Sequence, residues 1–313
     1  MRKKERLVRF RSISESHQAF GLPKPQHPLI SLVHFNENNP FNTDMAPIYD
    51  VLDFYKITFI TQNSGRLKYG QDYYDFNEGS MLFIAPHQLV GSTEYHRKTY
   101  AYLLLVHPDF LLGHPLANKI KQYGYFSYSV NEALHLSSQE KEIMTALFEI
   151  MVQELSNRID EFSQEVIISQ IALLLNYANR FYKRQFITRK VVNNELLQKT
   201  ESILEAYFNQ GKALELGVPS VQYISDKLNI SAGYLSDMLR SMIGQSAQQY
   251  IHLKLIERAK EKLSTTKLSV GEIAFQLGFE HPQSFSKFFK SKTKQSPLEF
   301  RAAFIEPAIA ETK

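Results

Sequence analysis

The sequence predicts an α+β chain of two domains, a β-rich domain over residues 1–190 completed by helices and an all-α domain over residues 191–313. Three observations predict it. Short apolar runs of strand length, punctuated by Gly and Asn turns, occupy residues 29–107. Two long apolar stripes at helical spacing follow between Ser137 and Tyr182. From Pro219 to Phe304 one structural idea is then written twice. A length of 313 residues with 43% apolar content supplies enough material for two cores.

Residues 1–28 are polar and basic, with Pro23, Pro25 and Pro28, and read as a loosely held arm. Candidate strands follow at Leu29–Phe35, at Asp53–Thr61 with Tyr55, Ile57 and Phe59 on one face, and at Leu67–Phe76. Asn63-Ser64-Gly65 and Asn77-Glu78-Gly79-Ser80 are the turns between them. Met81–Ala85 and Tyr100–Val106 are more continuously apolar strands. Short strands at this spacing argue for a sandwich or small barrel.

Ile143, Leu147, Ile150, Met151 and Leu155 form the first helical stripe, which closes the sheet region. A second and broader stripe comprises Val166, Ile167, Gln170, Ile171, Leu174, Leu175, Ala178 and Phe181. Its width is expected to serve both the sheet and a second copy of the chain. The charge-rich stretch from Phe181 to Asn194 is the expected seam between domains, and Leu196, Ile203, Leu204 and Phe208 mark a helix that ends at Gln210-Gly211.

The repeat occupies the remainder. Ile224, Leu228 and Ile230 match Ile273, Leu277 and Phe279 at an offset of 49 residues, and Leu235 and Leu239 match Phe285 and Phe289 at an offset of 50. Each copy is a short helix with apolar residues four apart, a tight turn, and a second amphipathic helix, which is the pattern of a helix-turn-helix. Ser269-Val270-Gly271-Glu272 and Ser296-Pro297-Leu298-Glu299 have the capping-box form. Pro282 suits a first helical position and Gly278 a turn with positive φ. Between the copies, Tyr250, Ile251, Leu255, Ala259 and Leu263 predict a linking helix over Ala247–Leu263.

Charge follows the repeat. Pro219–Phe304 holds twelve Lys or Arg against seven Asp or Glu, while the rest of the chain holds 24 against 25. A basic surplus placed there suits phosphate contact. The absence of cysteine excludes disulfides and thiolate metal sites. The basic N-terminus is followed by no apolar run of signal-sequence type, and no stretch reaches a membrane span, so a cytoplasmic location is expected. No two glycines stand two apart, and neither a P-loop nor G-x-S-x-G is present, so the chain is expected not to be an enzyme and to need no cofactor.

Tyr250-Ile251, Ala259, Ile273-Ala274, Leu277-Gly278-Phe279, Ser284-Phe285-Ser286-Lys287, Phe289-Lys290 and Ser296-Pro297-Leu298-Glu299-Phe300-Arg301 together resemble the DNA-binding domain of the AraC/XylS family of bacterial transcription regulators. The resemblance covers about 110 residues. It departs from the family at Leu255, where an arginine is common, and at Lys294 or Gln295, where a glycine is common. The run Gly79-Ser80-Met81-Leu82-Phe83-Ile84-Ala85-Pro86-His87 is similar to the cupin-like effector domain that precedes such a DNA-binding domain. Cupin metal sites use H-x-H with a distant histidine, and the ten histidines here include no pair two or four apart, so no metal is expected. His87, His96 and His107 read either as lining a pocket or as rim or core histidines.

The resemblance implies a transcription regulator that binds double-stranded DNA, answers to a small-molecule effector of unknown identity and forms a homodimer, with RNA polymerase as a candidate further partner. The family's base-reading positions fall on Gly233, Ser236, Asp237, Gln283, Ser284 and Lys287. Gln283 can pair with adenine and Lys287 with guanine, whereas Arg240 and Lys290 stand as phosphate contacts. Asp237 is either an i, i+3 partner of Arg240 or an acceptor from cytosine N4. The alternative of another class is a cupin-like small-molecule-binding protein or enzyme with an accessory DNA-binding tail. A purely architectural DNA-binding protein is a third reading.

Overall fold

The computed structural model of the chain describes residues 7–39, 49–62, 67–69, 72–74, 79–91, 93–94, 100–129, 132–156 and 162–305. Two compact units divide it, Met1–Thr188 and Arg189–Lys313. The expected turn at Asn63-Ser64-Gly65, residues Asn77 and Glu78 of the next turn, and His96 lie outside the described residues.

The first unit runs β1 (Leu7–Phe10), α1 (Ile13–Ala19), β2 (Ile30–Phe35), β3 (Tyr49–Leu52), β4 (Tyr55–Gln62), β5 (Leu67–Tyr69), β6 (Asp72–Tyr74), β7 (Ser80–Ile84), β8 (Leu89–Gly91), β9 (Thr93–Glu94) and β10 (Tyr100–Val106), then α2 (Leu116–Lys119), β11 (Leu134–His135), α3 (Ser138–Ser156) and α4 (Ser163–Thr188). Its centre is a five-stranded sheet in the order β11-β7-β4-β10-β2. Every pairing in it is antiparallel, with Phe59 opposite both Tyr102 and Met81. Alternation sends neighbouring residues to opposite faces. Phe59 and Tyr102 therefore face α3, where both rings stack with Phe148 at 5.5 and 5.1 Å. Ile60, Leu82, Ala101 and Phe35 form a cluster on the other face.

Two expectations are corrected here. The arm is ordered from Leu7 onward: β1 pairs in parallel with β3, a serine capping box at Ser12 and Glu15 starts α1, and Phe10 and Ile13 are buried with Leu52, Phe54 and Leu105. Three apolar side chains thus hold a segment whose composition is polar. The single strand expected over Leu67–Phe76 is two, because the chain reverses between β5 and β6 and pairs Leu67 with Tyr74.

Helix α4 is bound into this unit along its length. Tyr125 donates its hydroxyl to the Leu175 carbonyl at 2.9 Å and stacks on Tyr182, and Gln185 bonds the backbone of Ala133 and His135. Arg184 pairs with Glu140 of α3. Ile167, Ile171, Leu174, Leu175, Ala178 and Phe181 are consequently buried by the chain's own sheet side. That set of residues is not available to a second copy.

The second unit is helical: α5 (Lys190–Asn209), α6 (Lys212–Leu216), α7 (Val221–Leu228), α8 (Ala232–Ile243), α9 (Ala247–Thr265), α10 (Val270–Gln276), α11 (Pro282–Thr293) and α12 (Pro297–Ile305). Helix α5 begins before Asn193 and Asn194 rather than after them, with Asn193 buried. Serines start α7, α8, α9, α10 and α12. Ser220, Ser231 and Ser246 accept from the backbone N–H three residues on, and Ser269–Glu272 and Ser296–Glu299 close reciprocal boxes.

Helix α9 carries Tyr250, Ile251, Leu255, Ala259 and Leu263 to the interior and is about 28 Å long at 1.5 Å per residue. Lys254 ties it to Glu201 of α5 at 2.6 Å, and that carboxylate raises the ammonium pKa. Arg301 of α12 donates to the carbonyls of Leu263 and Leu268. The turn before α11 meets the loop before α7 at Gly278, whose φ is +90°. A Cβ added there would lie 2.3 Å from the carbonyl carbon of Gly217.

Candidate nucleic-acid interface

Helices α8 and α11 are the second helices of the two repeats, and the sequence-derived candidates lie on them. In α8, Tyr234, Leu235, Met238 and Leu239 are buried. Gly233, Ser236 and Asp237 are half-buried and Arg240 is exposed, so one helix face carries all four. Ser236 accepts a hydrogen bond from the Ala247 N–H at 3.3 Å, which makes its oxygen a joint between α8 and α9. Its O–H still has a proton to donate. Asp237 and Arg240 form a close i, i+3 ion pair. The ion pair is one of the two arrangements the sequence left open for Asp237.

In α11, Pro282 takes the first helical position and Phe285 and Phe289 are buried. Phe285 packs against Phe279 of the turn and Phe289 against Phe300 of α12, at 5.4 and 5.6 Å between ring centres. These contacts fix the helix roll. Gln283, Ser284, Lys287 and Lys290 are all exposed as a result. Among the described residues nothing bonds or pairs with the side chains of Gln283, Ser284 and Lys287. Lys290 lies near Glu299, whose carboxyl is held below its usual range first by the Ser296 backbone and hydroxyl and last by that lysine.

The two candidate faces therefore differ. The α8 face is small and internally neutralised, whereas the α11 face offers an amide, a hydroxyl and, among the described residues, the unpaired ammonium of Lys287. Lys292 and Lys294 are exposed as well and extend the cationic edge of α11. The sequence signal for them was the lysine run at positions 287, 290, 292 and 294. Lys294 ends α11 with φ at +68°, the backbone conformation a glycine accepts without strain.

The remaining candidates do not gather. His87 pairs with Asp53 at the surface, and His107 accepts from the Asp109 N–H. Among the described residues no group of three or more His, Cys, Asp or Glu could hold a metal ion, and no helix is long and apolar enough to cross a membrane.

A family model described as a helix-turn-helix domain matches residues 224–303, which run from α7 into α12. The C-terminal unit contains an AraC-type helix-turn-helix domain. The chain is 26% identical over 258 residues to the Msm operon regulatory protein of Streptococcus mutans, a match covering 80% of this chain and 85% of that protein. It is 24% identical over 176 residues to an uncharacterized HTH-type transcriptional regulator of Staphylococcus aureus. That match covers 56% of this chain but only 22% of the relative, so the chain spans less than a quarter of its length. The C-terminal domain of the two-component response regulator yesN from Fusobacterium nucleatum is 32% identical to this chain over a match covering 32% of this chain and 96% of that one, with a TM-score of 0.28.

Proposed function

We infer that the chain is a DNA-binding transcription regulator of the AraC type, that it reads a specific duplex sequence chiefly through α11, and that its N-terminal unit is a cupin-like sensor of a small-molecule effector. The observation that carries the DNA reading is the exposed, unpaired set Gln283, Ser284 and Lys287 on the second helix of a helix-turn-helix. Gln283 and Lys287 are one turn apart and suit adenine and guanine edges in a major groove, with Lys290 one turn further on at phosphate. Gly233, Ser236, Asp237 and Arg240 of α8 form the second contact. There the Asp237–Arg240 pair tempers the charge. Such a regulator works in the cytoplasm and meets RNA polymerase at its promoters.

Homodimerisation uses the exposed edge of α4, which keeps Val166 and Gln170 of the stripe the sequence suggested and adds Phe162 and Leu173 in place of its buried members. Phe162, Val166 and Leu173 are 63%, 40% and 45% exposed and line one shallow depression with Glu165, Ser169 and Gln170. Apolar side chains aligned at positions 162, 166 and 173 suit the self-complementary contact of a two-fold dimer. Selection of duplexes from random sequence by the full chain tests the reading. Enrichment of a common half-site supports it, and salt-sensitive binding with no enrichment would assign an architectural role instead.

A further inference from the structure

The second helices of the two repeats correspond residue by residue, and their charges differ at one position. At the repeat offset of 50, Asp237 of α8 stands where α11 has Lys287, and Arg240 stands where α11 has Lys290. Lys287 is the exposed ammonium that α11 turns toward a base edge. In α8 a carboxylate takes that place, and phosphate repels it.

The neighbouring positions bring no charged donor. Gly233 has no side chain, and Ser236 brings a neutral hydroxyl whose oxygen already accepts from the Ala247 N–H. Arg240 is the one cation in α8. Its Cα lies about 4.5 Å further along the axis than that of Asp237, at 1.5 Å per residue, which is the level of the phosphate contact on α11. The structure moves its charge. Helical side chains lean toward the N-terminus, and Arg240 Nη1 donates to Asp237 Oδ1, so the guanidinium is drawn back one turn to the level of residues 236 and 237.

The ion pair leaves a reading edge open. A guanidinium carries five N–H donors in a planar fork, and this contact engages Nη1 alone. Among the described residues, Nε and Nη2 of Arg240 donate to nothing. The Arg240 side chain is 57% exposed against 29% for Asp237, so the cation is the outer member of the pair. A carboxylate behind the guanidinium cancels much of the charge that would draw it to phosphate, whereas a fork held in one plane matches the paired acceptors O6 and N7 of guanine. Exposed ion pairs add little to folding stability, so placement is what this one supplies.

We propose that Arg240 is a specificity-determining residue that reads a guanine in the major groove, and that Asp237 is the positioning residue that holds it at the base-reading level. The proposal rests on the DNA-binding reading of the C-terminal unit and deepens it. Helix α8 selects a base through a two-residue device, where α11 uses single side chains.

The test uses the full chain and the duplex that it enriches from random sequence. The unsubstituted chain should prefer guanine over adenine at one position by about tenfold or more, the discrimination expected of a bidentate contact. Arg240→Ala and Asp237→Ala should each abolish that preference, and the double variant should lose no more than either alone, because the two residues act as a unit. Lys287→Ala should leave this preference intact and relax a different position. Asp237→Ala should also bind the adenine duplex at least as tightly as the unsubstituted chain, since a negative charge facing phosphate has gone. A merely structural role would weaken both duplexes, with a lowered melting temperature. An Asp237→Ala chain that keeps its guanine preference would overturn the proposal, and so would equal loss on both duplexes for Arg240→Ala, which would make that residue a phosphate contact. A site enriched only at positions governed by α11 overturns it too and leaves the DNA-binding reading standing. No enrichment at all removes both.

Discussion

Within α11, position along the helix separates reading from holding. Lys287→Ala should cost about 1–3 kcal/mol on the preferred duplex and much less on one altered at the base it reads. Lys290→Ala should weaken all duplexes alike and reduce the salt slope by about one ion. Titrations of both variants on both duplexes check this, and an equal loss for Lys287→Ala would move base reading to Gln283. Lys294 offers a stability test on the same helix. Its left-handed backbone makes Lys294→Gly stabilising by about 1 kcal/mol, read from chemical denaturation. Asp50 supplies the pH test. Its carboxyl is raised above the usual 3.8, chiefly by burial, with Lys56 opposing, and Oδ2 has no partner. The folded state holds that proton to higher pH than the unfolded chain, so the group's contribution to stability falls as pH rises through its folded pKa. Asp50→Asn should therefore raise the melting temperature at neutral pH. That gain should shrink as pH falls toward 3.8, and melting curves across pH decide it.

Helix α4 presents two faces with opposite consequences. Leu174→Glu places a carboxylate in a fully buried site and should unfold the first unit, at a cost of about 5 kcal/mol or more. Leu173→Glu, on the exposed face, should leave stability within about 0.5 kcal/mol and yield a folded monomer. Light scattering with circular dichroism distinguishes them, and a native chain already monomeric at micromolar concentration would remove the dimer face. The stripe itself was legible in sequence as period 3.6. Which half of so broad a stripe meets the sheet was not, because periodicity gives a direction and no neighbour. The same reason explains β1: four residues pair with β3 some forty positions away, and no local pattern announces a non-local parallel pairing. The helix-turn-helix pair was legible almost residue by residue, since caps, the turn glycine and the apolar i, i+4 pairs are all local signals.

At the scale of the molecule, the fragment 189–313 should retain duplex binding with steep salt dependence, while 1–188 should show none; fluorescence anisotropy of the two fragments reads this directly. The contact between Gly278 and Gly217 governs how far the C-terminal unit can itself be divided. Gly278→Ala must both enter a left-handed turn and displace backbone that has no side chain to move, so a loss of about 4 kcal/mol or more is expected in denaturation experiments. Tyr207 holds the Gly217 carbonyl from the other side at 2.9 Å, so that loop cannot retreat without giving up a hydrogen bond. The two repeats are for this reason not interchangeable cassettes. A chimaera that exchanged α10 and α11 for those of another regulator would have to bring the loop at 217 with them, and a library randomised at both positions should return the glycine pair as one inherited character.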